Sequence, residues 1–184
     1  MNAVENLAIL VPLKGFTVAK SRLRDSGVVG VDDMARSLAH RVLAASQPRP
    51  VFVACESTDV AEFARARGVD VIESTARDLN EAVTNAYRIL SENFERLVIV
   101  HGDLRQPTGL GDFDPSPGLT VVTDSHGTGT NVLALPSKLD FTFHYGPGSA
   151  QAHERESRRL RLVSRVVTNS PWRFDVDYAE DIVE

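Results

Sequence analysis

Four apolar runs separated by segments of helical period constrain this chain more than any other feature. The runs are "LAILVPL" (7–13), "VFVAC" (51–55), "VDVIE" (69–73) and "RLVIVHGD" (96–103). Each reads as a strand, and "LAILVPL" is apolar enough to read as a buried one. Between the first two, Val31, Met34, Ala35, Leu38, Ala39, Val42 and Leu43 recur at the spacing of an amphipathic helix, with Asp32 and Asp33 near its start. "STDVAEFARARG" (57–68) reads as a second helix, with Ser57 or Thr58 as N-cap and Gly68 closing it. "DLNEAVTNAYRILSENF" (78–94) reads as a third. A βαβαβαβ rhythm of this kind predicts a mainly parallel sheet covered by helices on both faces. Beyond about residue 115 the pattern becomes β-rich: "GLTVVTD" and "NVLALP" are separated only by "SHGTGT". A helix over 150–159, a strand in "LRLVSRVV", and a last strand with a short helix in "WRFDVDYAEDIVE" complete the reading. The expectation is one α/β domain over residues 1–184.

Composition narrows the function classes. A net charge of −5 argues against a dedicated nucleic-acid binder, and no apolar run approaches a membrane span. A single cysteine excludes an internal disulfide and a cysteine-based zinc site, and "MNAVENLAILVPLKG" lacks a secretory signal, so the cytoplasm is the expected location. Against this acidic background, "VPLKGFTVAKSRL" (11–23) carries Lys14, Lys20 and Arg22, with no acid between Glu5 and Asp25. In open parallel sheets, ligands bind outside the carboxyl ends of the strands. There the basic loop after strand one and Asp103 after strand four meet: cations that neutralise phosphate oxygens beside a carboxylate that can hold Mg²⁺. Composition alone equally allows a solvated loop and a turn-forming aspartate. Neither common phosphate-loop motif is present, so in holding phosphate here side-chain charges must do more of the work than glycine-opened backbone amides.

Three further stretches carry chemistry. "DSHGTGTNVL" (124–133) has two glycines that permit close backbone approach, and Thr128 and Thr130 that supply hydroxyls; a plain hairpin turn accounts for the glycines alone. In "HYGPGSAQAHE" (144–154), Ser149 is a natural helix N-cap, and amides at a helix start also bind anions. In "FDVDYAEDI" (174–182), Asp175 and Asp177 share one strand face, as metal ligands or as a polar edge. Ser149 lacks a hydrolase nucleophile context, and the five histidines show no metal-ligand spacing.

The ordered set resembles the guanylyltransferases that act on 2-phospho-L-lactate or phosphoenolpyruvate in biosynthesis of the deazaflavin coenzyme. The carriers are "VPLKGFTVAKSRL", "DLNEAV", "VHGDL", "DSHGTGTNVL", "FHYGPGSAQAH" and "FDVDYAEDI", spanning nearly the whole chain. The resemblance implies a Rossmann-like nucleotidyltransferase fold of the glycosyltransferase-A type. It implies GTP and a small phosphorylated acid as partners, with Mg²⁺ as cofactor. Lys14, Lys20, Ser21 and Arg22 would then lie in the triphosphate loop, and Asn80 would help hold the nucleotide. Asp103, Asp175 and Asp177 would hold metal, and Thr130, Gly146 and Ser149 would contact the phosphoacid. A homodimer and hand-off of product to the next enzyme are further expectations. Two departures stand out: the family's Asp-Leu-Pro is Asp103-Leu104-Arg105 here, and its Thr-Pro after the final D-x-D is Tyr178-Ala179. The rival readings are a nucleotidyltransferase for a sugar or polyol phosphate, and a nucleotide-binding protein without turnover.

Overall fold

The computed structural model describes residues 7–76 and 78–182. Seven strands, β1 (Leu7–Pro12), β2 (Val51–Cys55), β3 (Asp70–Glu73), β4 (Arg96–Val100), β5 (Leu119–Thr123), β6 (Thr130–Pro136) and β7 (Ser164–Val167), form one sheet in the order β3-β2-β1-β4-β6-β5-β7. Strands β1 to β4 are mutually parallel, β6 runs against both β4 and β5, and β7 is parallel to β5. The mainly parallel sheet expected from the apolar runs is present, with one reversed strand, β6, between β4 and β5.

Both faces of β1, β2, β4, β5 and β6 are largely buried, which explains why these strands read as apolar runs, whereas the edge strands β3 and β7 are partly exposed. On β1, Ile9 and Val11 pack with Ala35, Ala39 and Val42 of α2 (Val31–Ala45) and Val60 of α3 (Thr58–Arg65). Ala8 and Leu10 face the other way, toward Val83, Ala86 and Leu90 of α4 (Leu79–Leu90), in a cluster that also holds Ala150 of α5 (Ser149–Arg159). Each fully buried leucine or isoleucine here contributes about 1.5–3 kcal/mol relative to exposure. Asp78 caps α4 by accepting from the Glu81 amide at 2.9 Å, which fixes where that helix enters the core. Ser57 occupies the N-cap of α3, but its hydroxyl bonds Asp59 rather than a backbone amide.

The tail departs from expectation. Its predicted strand reduces to a single antiparallel bridge, Leu104 with Asp175, between two 3₁₀ turns at Pro171–Arg173 and Ala179–Asp181. Residues 183–184 of the expected terminal helix lie outside the described residues. A five-residue helix, α1 (Ser21–Asp25), forms where only a loop was expected. Among the described residues, no helix is long and apolar enough to cross a membrane.

Helix α5 is fastened by Glu156, whose side chain is 7% exposed. Its carboxylate accepts from the Thr142 amide at 2.8 Å and from Arg159 at 2.9 and 2.7 Å. The Arg159 hydrogen bond is the chief reason its carboxyl is held below the ordinary value. A depressed folded pKa means the stabilisation is present above the unfolded value near ~4.3 and is lost as pH falls through the folded one. Glu156→Ala should therefore destabilise the protein by about 1–2 kcal/mol at neutral pH, since it leaves the Thr142 N–H without its acceptor, while Arg159 keeps Asp140 and solvent. In urea unfolding, the gap between wild type and variant should shrink on going from about pH 5 to about pH 3. A gap independent of pH would remove the charge from the explanation.

Candidate active site

Strand β4 ends at Val100 beside the start of β6, with Val100 paired to Val132 and the His101 amide donating to Asn131 O at 3.0 Å. The reversal of β6 is what brings Thr130 and Asn131 to the edge where β1 and β4 terminate. A cleft of about 680 Å³ opens there. Lys14, Lys20, Ser21 and Arg22 line one wall, Thr130, Gly146 and Ser149 another, and Asp103, Asp175 and Asp177 the floor. A Cβ at Gly102 would meet the tip of the Leu13 side chain, which would have to shift, so the β4 loop sits against the β1 loop. Gly146 has φ +131°, a conformation open to glycine alone.

The three aspartates each offer an oxygen, all within 4.8 Å of one another. Lys20, 9% exposed, is placed among them by a left-handed backbone (φ 60°) at the start of α1. Its ammonium pairs with Asp103 and reaches Asp177 at 3.1 Å. Arg22 bonds the second oxygen of Asp177 at 3.0 Å and stacks on Tyr178, 5.1 Å from the ring centre. Burial works against the charge on Lys20, but Asp103 and Asp177 outweigh it and raise its pKa. Burial likewise opposes the charge on Asp103, yet Lys20 holds its carboxyl below the ordinary value. Asp175 moves the other way: burial and the Asp103 charge push it up, partly offset by a hydrogen bond from Asn131. Oδ1 of Asp103 is buried and has no hydrogen-bond partner among the described residues. A hard all-oxygen donor set with an orphaned anionic oxygen and an ammonium bridging two carboxylates fits a divalent cation.

Both sequence departures are accommodated at this centre. The Arg105 amide, which proline would lack, donates to Phe174 O at 2.7 Å and draws the tail onto the Asp103 loop. In place of a Thr-Pro cap, the Asp181 carboxylate accepts from the amides of Asp177 at 2.9 Å and Tyr178 at 2.7 Å.

The Guanylyl transferase CofC like family model matches residues 7–184. The chain belongs to this family. It is 30% identical to the phosphoenolpyruvate guanylyltransferase of Chloroflexus aggregans over 95% of this chain and 94% of that one. It is also 30% identical to the 2-phospho-L-lactate guanylyltransferase of Methanothermobacter thermautotrophicus, over 95% and 82% respectively. Among solved structures, a nucleotidyl transferase from Methanothermobacter superimposes with a TM-score of 0.66 at 12% identity, covering 95% of this chain and 93% of that one. The CofC-like chain thus has the expected nucleotidyltransferase fold, and its family transfers guanylyl groups.

Of the residues singled out from the sequence, Asn80 alone does not line the cleft of this CofC-like protein. Its amide is spent on backbone, accepting from Tyr145 N at 2.6 Å and donating to Tyr145 O at 3.1 Å, so it holds the wall that carries Gly146. Arg24, at the end of the basic run, ties the loop to Ala19 O, Phe16 O and Asp32. Asn131 and His153 escaped sequence reasoning. Asn131, 2% exposed, donates from Nδ2 to Trp172 O, Arg173 O and Asp175 Oδ1 at 3.0–3.2 Å. The one local signal for it is the asparagine that closes "GTGTN".

Proposed function

We propose that the protein transfers GMP from GTP to the phosphate of a small phosphorylated carboxylic acid, releasing pyrophosphate, as one step of deazaflavin coenzyme biosynthesis in the cytoplasm. On this reading the chain acts as one nucleotidyltransferase domain, its acid acceptor being 2-phospho-L-lactate, phosphoenolpyruvate or a phosphoglycerate. A homodimer and hand-off of the guanylylated acid to the next enzyme are part of the same proposal. The observation that carries it is the convergence of a basic loop and three carboxylates on one cleft, with a hydroxyl-bearing wall opposite.

A phosphomonoester, with its second pKa near ~6, is already a dianion at neutral pH, so its oxygen attacks without a general base. The bond formed is from that oxygen to the α-phosphorus of GTP; the bond broken is from the α-phosphorus to the bridging oxygen, which leaves on pyrophosphate. The difficulty is electrostatic. Two unit charges ~4 Å apart repel by about 1 kcal/mol in water but about 4 kcal/mol at an effective dielectric of ~20. Lys14, Lys20 and Arg22, with Ser21, neutralise the triphosphate and the charge that builds on the leaving group. Lys14 is exposed at the cleft and carries no ion pair among the described residues, so it is free to do so. Thr130, Ser149 and the backbone at Gly146 receive the acid, while Asn80 keeps that wall in place. Asp103, Asp175 and Asp177 would hold Mg²⁺, which supplies Lewis-acid charge stabilisation when bound.

The test is pyrophosphate release from purified protein with Mg²⁺, GTP and each phosphoacid in turn, against an ATP control. Release that needs GTP and one acid is expected; release without any acid, or equally with ATP, would defeat the reading. Asn131→Ala is expected to reduce turnover about 10–100-fold and to raise the Mg²⁺ concentration giving half-maximal rate, because Asp175 loses the donor that orients it. An unchanged Mg²⁺ requirement would confine Asn131 to fastening the tail.

A further inference from the structure

Behind the wall formed by Thr130 and Ser149 lies a fully buried histidine to which the proposed reaction assigns no part. His153 of α5 is 0% exposed, and Thr130 and Ser149 are each 2% exposed. Nε2 of its ring receives the backbone N–H of His144 at 3.0 Å. A backbone amide can only donate, so Nε2 carries no proton. The neutral ring must then carry its proton on Nδ1. Nδ1 lies 3.1 Å from Thr130 Oγ1 and therefore donates to it. Burial, with the charges of His144 and His101, holds the ring's pKa down to about 3, in keeping with a ring that accepts at one nitrogen.

The direction of this chain has a consequence at the cleft. Ser149 Oγ is 3.1 Å from Thr130 Oγ1. One hydrogen bond joins the two hydroxyls, each with a proton of its own, and Thr130 already accepts from His153. Whichever way the shared bond runs, one hydroxyl proton of the pair has no acceptor among the described residues, and both residues line the cleft. The chain His144 N–H, His153, Thr130, Ser149 thus ends on a donor. A donor at the cleft face is satisfied by an incoming oxygen acceptor, and most strongly by an anionic one.

We propose that His153 is a positioning residue for acceptor binding: through its Nδ1–H it fixes the Thr130–Ser149 pair as a hydroxyl donor for a carboxylate or phosphate oxygen of the acid. This inference rests on the proposed reaction and adds to it a residue that touches neither substrate.

The two ring nitrogens can be removed separately. The amide of Asn at 153 reproduces the Nδ1–H donor, whereas that of Gln reaches the Nε2 position and leaves Thr130 without its donor. Both variants are to be checked for folding by thermal melting. They are then compared with wild type for the KM of each substrate, and by calorimetric titration of phosphoenolpyruvate and of inorganic phosphate with Mg²⁺ present. His153→Gln should raise the acid KM and the calorimetric Kd about tenfold with the GTP KM within about twofold, and His153→Asn should recover most of the loss. Equal losses in the two variants, or a loss shared by the acid and GTP, would overturn the inference and leave His153 a packing residue. Wild-type protein that turns over no acid would defeat the reaction instead. In that case the calorimetric arm still decides: oxyanion binding weakened by Gln and kept by Asn upholds the role of His153, and absence of binding in wild type counts against it.

Discussion

Asp103→Asn should lower guanylyl transfer by about 10³-fold or more while leaving the fold in place. The substitution keeps side-chain shape and one carbonyl oxygen but removes a full negative charge from the floor of the cleft. Lys20 is not orphaned by the change, because Asp177 still lies 3.1 Å from its ammonium. The stability loss should accordingly fall well short of the roughly 3–5 kcal/mol that follows when a buried charge loses its only partner. Thermal melting alongside pyrophosphate release separates the two effects. Turnover within a few-fold of wild type would take Asp103 out of the reaction centre.

Chelation is the second large effect. Exhaustive EDTA treatment followed by desalting should bring pyrophosphate release to background, and Mg²⁺ or Mn²⁺ should restore it. The physical reason is the donor set: three carboxylates with oxygens within 4.8 Å of one another, one of them carrying an unpartnered buried oxygen. Such a group repels the substrate's phosphates unless a cation offsets it, since two anionic ligands must approach the same floor. Full activity in metal-free buffer would mean that Lys20 and Arg22 alone supply the compensating charge.

The division between what could be read from the residues and what could not follows from range. The strands β1, β2 and β4 were legible because both of their faces are buried, and α2 because its apolar stripe is long and regular. The clefts and corners of the second half depend on pairings that periodicity does not encode. Nothing local in "NVLALP" says that β6 inserts between β4 and β5 rather than beside them. The tail reads as a strand in sequence, but Asn131 and Arg173 hold it by side-chain bonds to backbone instead of by a ladder. Among the site residues, charged groups on strand-end loops could be found because unopposed charge is conspicuous in an acidic chain. His153 could not, since a lone histidine on a helix says nothing until the His144 amide, Thr130 and Ser149 are seen around it.

Lys20 gives the carboxylate floor its own internal counterion, and this couples events that a list of ligands would treat as separate. Before any ligand arrives, the ammonium and an incoming cation compete for the same oxygens of Asp103 and Asp177. A phosphate chain that attracts the ammonium toward itself lowers that competition, and so raises the affinity of the floor for the cation. By thermodynamic reciprocity the cation must raise the affinity for the phosphate chain by the same factor. On the proposed reading, one side chain shared between these two partners would make nucleotide and cation bind as a cooperative pair, with no movement of the sheet beneath them.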